Sequence, residues 1–230
     1  MCIMKSELYK LVRDRQSRAL VVIYFLFSLT TLVSPNLTLS ESAAGELLNI
    51  FTVDFGMIFI MVTIIAITVF SLDYTENTLK DILPYHSIKA IFAWKWCTTI
   101  IAALAMLVFC YALSVTYSLV VARDVASGYA FLNLAKRFFA HFIIIVVNIS
   151  FVIFVASFLR QRYLINAVVL VSLLITRFLP IGRGRFLFLL LSEQYAWGVH
   201  MQTSFALLSL FIICIFMVLG YYVFSKRGTE

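Results

Sequence analysis

Six long apolar stretches, separated by short polar joints, run along the chain. They cover residues 19–33, 51–72, 96–121, 138–159, 163–179 and 203–224. The hydrocarbon core of a bilayer is about 30 Å thick, and a helix needs about 20 residues to cross it. The stretches are continuously apolar and lack the alternation of polar and apolar residues found in membrane β-strands. The pattern therefore predicts an all-α integral membrane protein with six transmembrane helices.

The composition agrees with a membrane protein and excludes an ordinary soluble domain. Hydrophobic residues make up 63% of the chain and charged residues only 13%, against a soluble average of about a quarter charged. Of the 18 Lys and Arg residues, twelve fall on the same predicted side as the amino terminus and six on the other. Cytoplasmic segments carry the excess of cations. This predicts a multi-pass plasma-membrane protein with both termini in the cytoplasm, whose net charge of +7 attracts anionic lipid rather than nucleic acid.

Residues 1–18 precede the first apolar stretch and carry an amphipathic pattern. The apolar positions that share one helical face are Ile3, Met4, Leu8, Leu11 and Val12. Cationic residues occupy the opposite face, so the segment is typical of a helix lying in the lipid headgroup layer. The alternative is an ordinary charged anchor for the first span. Residues 19–230 form the predicted six-helix transmembrane domain.

The joint after the second apolar stretch has the pattern of a break followed by a short helix. Asn77 tolerates a left-handed turn and can end a helix, and Thr78 followed by Asp81 resembles the start of another. The apolar residues Leu79, Ile82 and Leu83 would face the bilayer or neighbouring spans, with Lys80 and Asp81 toward the cytoplasm. Taken alone, this pattern fits two interpretations equally well. The segment is either a helix that transmits force to the two spans it connects, or a routine amphipathic connection.

The end of the joint predicts where the next helix begins. Pro84 ends the short helix because its ring is incompatible with a helix interior, and Ser87 can cap the helix that follows. That helix would carry Lys89 and Lys95 at the inner membrane surface.

Two segments resemble one family of membrane proteins. The stretch Asp73-x-x-Glu76-Asn77-Thr78-Leu79-Lys80-x-x-Leu83, followed by Ser87-x-Lys89 and Lys95, resembles the pattern after the second span of type-2 ABC transporter permeases. The opening Glu7-x-x-Lys10-x-x-Arg13 resembles the amphipathic elbow helix with which many of these permeases begin. Asn77 stands where Gly is usual, and Asn can adopt the same backbone conformation.

This resemblance implies the transmembrane half of an ATP-driven exporter. Such a permease pairs with a second copy or a related permease and docks two separate ATPase subunits. Its coupling helix would contain Asp73, Glu76, Asn77, Thr78, Leu79, Lys80, Leu83 and Lys89. The segment 178–197 would dip partly back into the membrane from outside; a plain outer loop is the alternative. The resemblance is nearest to small bacterial permeases for antimicrobial-peptide export or self-immunity, which implies amphipathic peptides as cargo.

The chain shows no catalytic or nucleotide-binding motif. It lacks the G-x-x-x-x-G-K-[ST] loop that cradles nucleotide phosphates, so ATP and Mg²⁺ are expected on the partner ATPase and no cofactor or metal on this chain. The alternatives are a secondary transporter, which would show intramembrane acids for ion coupling, and an intramembrane lipid-modifying or proteolytic enzyme.

A few polar residues fall within the predicted spans, where charge is costly. Asp54 and Arg177 are predicted near the outer ends of the second and fifth spans, so they could form an ion pair. In the alternative, both lie at the headgroups and contact water and lipid. Asn148 and Asn166 are candidates for interhelical hydrogen bonds rather than substrate contacts.

Overall fold

The structure is a computed structural model that describes part of the chain. The described residues are 61–71, 84–117, 128–159, 161, 164–169, 171 and 203–227, together with 9, 12–15, 18–19, 22–23 and 26 near the amino terminus.

All regular structure in these residues is helical. The helices are α1 (Met61–Ser71), α2 (Ile88–Tyr117), α3 (Gly128–Phe158) and α4 (Thr203–Arg227), and residues 164–169 form a further short helical segment. The prediction of an all-α protein is confirmed for this described part.

Three of the helices are long and apolar enough to cross a membrane. The spanning portions are Ile88–Phe109, Phe138–Phe158 and Leu207–Lys226, which correspond to the third, fourth and sixth predicted stretches. Helix α1 lies within the second predicted stretch, and its described part is shorter than that stretch. Membrane-helix character is thereby confirmed for the described chain. The count of six spans and the elbow helix over residues 1–18 remain predictions.

Helix α2 begins eight residues before the apolar stretch that predicts it. The Ser87 side chain accepts a hydrogen bond from the Ala90 amide at 3.3 Å, and the Ser87 carbonyl accepts one from the Ile91 amide at 3.1 Å. This is an N-cap, which satisfies amide groups that have no partner within the first helical turn. The predicted capping role of Ser87 is confirmed.

Helix α3 lies at the centre of the described helices, in contact with α2 and α4. In its most apolar window 67% of the residues are buried inside the chain, against 22% for α4. The core around it includes Ile145, Ile149 and Ile153, all fully buried. Between helices in lipid, close packing stabilises such a core, since the lipid tails are as apolar as the side chains.

Gly220 allows α4 to approach its neighbours closely. A Cβ atom built at this position would lie 3.5 Å from the Phe154 Cα of α3 and 3.5 Å from the Phe92 ring of α2. These are ordinary contact distances, so a single methyl group fits and a larger side chain does not.

We therefore expect Gly220→Ala to fold normally and Gly220→Leu to destabilise the bundle. Alanine gains up to about 1 kcal/mol of helix propensity, whereas leucine overpacks the α3–α4 contact at a cost of about 1–3 kcal/mol. Thermal unfolding of the detergent-solubilised variants, followed by circular dichroism, measures the difference. Equal melting temperatures for the two variants would contradict the close approach.

Candidate functional site

Most of the sequence-predicted coupling residues lie outside the described part of the chain. These are Asp73, Glu76, Asn77, Thr78, Leu79, Lys80 and Leu83. Lys89 is described, and it is exposed in the first turn of α2. Among the elbow residues Arg13 is helical and exposed, and Glu7 and Lys10 lie outside the description. Asp54 and Arg177 also lie outside it, so their pairing stays a prediction.

The described end of the joint is an exposed turn. Pro84, Tyr85 and His86 are all exposed, and the chain turns through them into the Ser87 cap of α2. The described residues that flank the joint are those of α1 before it and the start of α2 after it. The contacts between these two flanks are the site that the structure describes.

Lys95 is buried inside the bundle, and its predicted place at the inner membrane surface stays a prediction. Its side chain is only 1% exposed, although it lies only six residues after the exposed Lys89 in the same helix. The Lys95 Nζ donates a hydrogen bond of 2.6 Å to the Val69 carbonyl of α1. It also lies 5.7 Å from the centroid of the Phe70 ring.

A backbone carbonyl can accept this bond from the ammonium group because its oxygen has two lone pairs, one of which remains after a helical hydrogen bond. The Phe70 ring adds attraction through its negative face. Lys95 therefore joins the two flanks of the joint inside the bundle.

An aromatic cluster joins the same two flanks to α4. The Phe70 ring of α1 lies 5.8 Å from Phe92 of α2 and 6.4 Å from Phe224 of α4. Phe92 in turn lies 5.5 Å from Phe224 and 5.8 Å from Tyr221. Edge-to-face pairs at such distances contribute beyond the area they bury. We call Phe70, Phe92, Tyr221 and Phe224 the aromatic cluster; it connects three helices near the joint.

Asn148 forms a buried hydrogen bond between α3 and α1. Its Nδ2 donates to the Thr63 Oγ1 at 2.7 Å, and Asn148 is 1% exposed. Its Oδ1 has no hydrogen-bond partner among the described residues. Asn166 is half-buried in the short helical segment. The contact of Asn148 is therefore interhelical, whereas Asn166 stays a candidate.

A second buried pair joins α2 to α3, and neither of its residues belongs to a motif in the sequence. The Tyr111 hydroxyl and the His141 Nδ1 are 3.0 Å apart, and the Tyr111 ring lies 5.0 Å from Phe138. Both residues are buried. Tyr111 and His141 are 30 residues apart in the chain, so no local spacing could have paired them.

The Lys95 contact predicts that the free energy of unfolding depends strongly on the charge of the side chain at position 95. Lys95→Met should lower the free energy of unfolding by about 1.5–3 kcal/mol, the usual loss for a hydrogen bond to a charged group. Lys95→Glu should cost more, because a carboxylate would then face a carbonyl oxygen and the negative face of a ring. The control is Lys89→Glu on the exposed surface of the same helix, expected within about 0.5 kcal/mol of the natural chain. Chemical unfolding in detergent measures all three, and equal stability of Lys95→Glu and Lys89→Glu would refute the contact.

The Thr63–Asn148 bond can be isolated by a double-mutant cycle. The natural chain, Thr63→Val, Asn148→Leu and the double variant are compared by unfolding in detergent. We expect a coupling of about 0.6 kcal/mol, the average for such bonds in a helical membrane protein. Additive effects of the two substitutions would mean that the side chains do not interact.

Comparison with known proteins leaves the family of this chain open. No family model matches the chain, and no curated protein matches its sequence. The resemblance to type-2 ABC permeases accordingly depends on the residues of the joint and of the opening segment.

Proposed function

We propose that this chain is the transmembrane permease subunit of an ATP-driven exporter of the type-2 ABC class. The proposal starts from the joint, where Asp73, Glu76 and Lys80 belong to a pattern that resembles the coupling segment of such permeases. A permease of this kind has no nucleotide site of its own and works with separate ATPase subunits that bind ATP and Mg²⁺.

The observation that carries the proposal is the attachment of both flanks of the joint to the bundle. A coupling segment transmits force only if its ends are attached to the helices it moves. Lys95 of α2 is hydrogen-bonded to Val69 of α1, and Phe224 of α4 contacts both Phe70 and Phe92. Movement of the joint would therefore be passed to three helices together. An idle loop has no need of such attachments.

The proposal extends to topology, partners and cargo. The chain would span the plasma membrane with the joint and both termini in the cytoplasm, on the same side as the ATPase. A second permease copy or a related permease would complete the translocation path. Amphipathic or antimicrobial peptides are the proposed cargo, in secretion or self-immunity, by resemblance to small bacterial permeases.

A secondary transporter is the second candidate. The observation that favours it is the presence of titratable side chains inside the bundle, namely Lys95 and the Tyr111–His141 pair. Proton-coupled transporters use buried groups of this kind. The two candidates differ in energy source: export by an ABC system requires ATP hydrolysis, and a secondary transporter works in vesicles with an ion gradient alone.

The ABC proposal predicts charge-dependent association with an ATPase. The tagged full-length chain, purified from its native cells in mild detergent, should retain an ATPase whose turnover is altered by the chain. Glu76→Lys combined with Lys80→Glu should lower both the retention and the effect on turnover by about tenfold or more, which corresponds to the roughly 1.4 kcal/mol that one close charge pair can supply.

The matched control changes the charge at the far end of α2. Thr116 is exposed, 29 residues after Ser87, and Thr116→Lys should leave ATPase retention unchanged. If the joint variant retains as much ATPase as the control and turnover responds equally, the assignment of the joint as the coupling segment is wrong. Transport driven by an ion gradient without ATP would favour the second candidate.

A further inference from the structure

A cavity of about 460 Å³ lies where the start of α2 meets the end of α4. Its lining residues are Ser87, Ile88, Lys89, Tyr221, Ser225 and Lys226. It is a shallow hollow that opens widely to the surface. Two cations and three hydroxyl groups come together there, and the described lining contains no acidic residue. The chemistry of the cavity is that of a receptor for an anion.

The cavity lies at one edge of the spanning portions of two helices. The span in α2 begins at Ile88, and the span in α4 ends at Lys226. From the length and composition of these spans, we expect both lysines at the depth of the lipid headgroups, where the phosphates of a bilayer are concentrated. Long basic side chains at helix ends extend toward this layer.

An apolar stripe on α4 continues from the cavity into the depth of the bilayer. Tyr222, Val218, Ile215 and Phe211 precede Lys226 at steps of three or four residues, which places them on one face of the helix. All four are exposed, Val218 at 67% and Phe211 at 64%. The Lys226 Nζ lies 4.7 Å from the centroid of the Tyr222 ring, so the cation lies directly at the head of the stripe.

We propose that the cavity and the stripe together form a binding site for one anionic phospholipid. The phosphate lies between Lys89 and Lys226 and accepts hydrogen bonds from the Ser87 and Tyr221 hydroxyl groups, while the Ser225 hydroxyl donates to the Tyr222 carbonyl. One acyl chain lies along the stripe. Charge complementarity selects the headgroup, and the continuity of the stripe with the cavity selects a lipid over a free anion. The proposal does not depend on the identity of any ATPase.

The experiment measures lipid retention by native mass spectrometry on the full-length chain in non-ionic detergent. Dioleoyl phosphatidylglycerol and dioleoyl phosphatidylcholine are the two probes, and the natural chain should retain one phosphatidylglycerol molecule at least tenfold more tightly than phosphatidylcholine. Each lysine near an anionic surface contributes roughly a fivefold gain in binding. The Lys89→Gln, Lys226→Gln double variant should therefore lose about 25-fold in phosphatidylglycerol affinity.

Two controls separate this site from general attraction to charge. Lys136→Gln removes a cation from the beginning of α3, outside the lining of the cavity, and should change phosphatidylglycerol affinity less than twofold, or roughly 0.4 kcal/mol. The Lys89→Arg, Lys226→Arg double variant keeps the charge and should keep the affinity. Inorganic phosphate in excess should not displace the lipid.

Four results would each overturn the proposal. They are equal retention of the two lipids, unchanged affinity in the double Gln variant, an equal loss in Lys136→Gln, and displacement by inorganic phosphate that depends on Lys89 and Lys226. The last result would mean that the cavity binds a free phosphate rather than a lipid. The comparison of the two lipids uses only the natural chain, so it tests the proposal even if a variant fails to fold.

Discussion

One ammonium group inside an apolar bundle constrains how α1 and α2 can meet. A charge buried without partners costs several kcal/mol, in protein or in hydrocarbon. The Lys95 Nζ meets this constraint by binding the Val69 carbonyl at 2.6 Å beside the Phe70 ring. Val69 of α1 must therefore stay within reach of α2. Since α1 and the start of α2 flank the joint, the same contact holds together the helices on its two sides.

The other interhelical contacts build on that arrangement. The aromatic cluster brings the end of α4 to the same place, and Gly220 lets α4 approach α2 and α3 through the Phe92 and Phe154 positions. Farther along, the Thr63–Asn148 and Tyr111–His141 contacts set the rotation of α3 against α1 and α2. Much of the remaining surface of α4 is exposed and apolar, as suits lipid or a second transmembrane subunit. Helix α4 is thus held chiefly at its carboxyl end and along the face it turns to α3.

Particular residues show how far sequence reasoning reached. The stretches 138–159 and 203–224 predicted their helices well, because a backbone in hydrocarbon must satisfy its hydrogen bonds internally and a helix does so locally. The capping role of Ser87 is also predictable from local sequence, because its hydrogen-bond partner, the Ala90 amide, is only three residues away. The sequence around Lys95 gives no sign that its side chain is buried inside the bundle. Its burial depends on a carbonyl 26 residues earlier in the chain.

The sequence by itself determined the membrane class of this protein, its helical structure and the start of α2, because length, apolarity and capping are local properties. It also supplied the joint pattern, whose likeness to a coupling segment motivates the proposed function. Only the tertiary structure decided which polar side chains the helices enclose and which helix ends meet. Those outcomes depend on which faces of distant segments come together, as Tyr111 and His141 do across 30 residues. The cavity between Lys89 and Lys226 exists for the same reason, since it is built from the ends of two helices that no spacing in the chain relates.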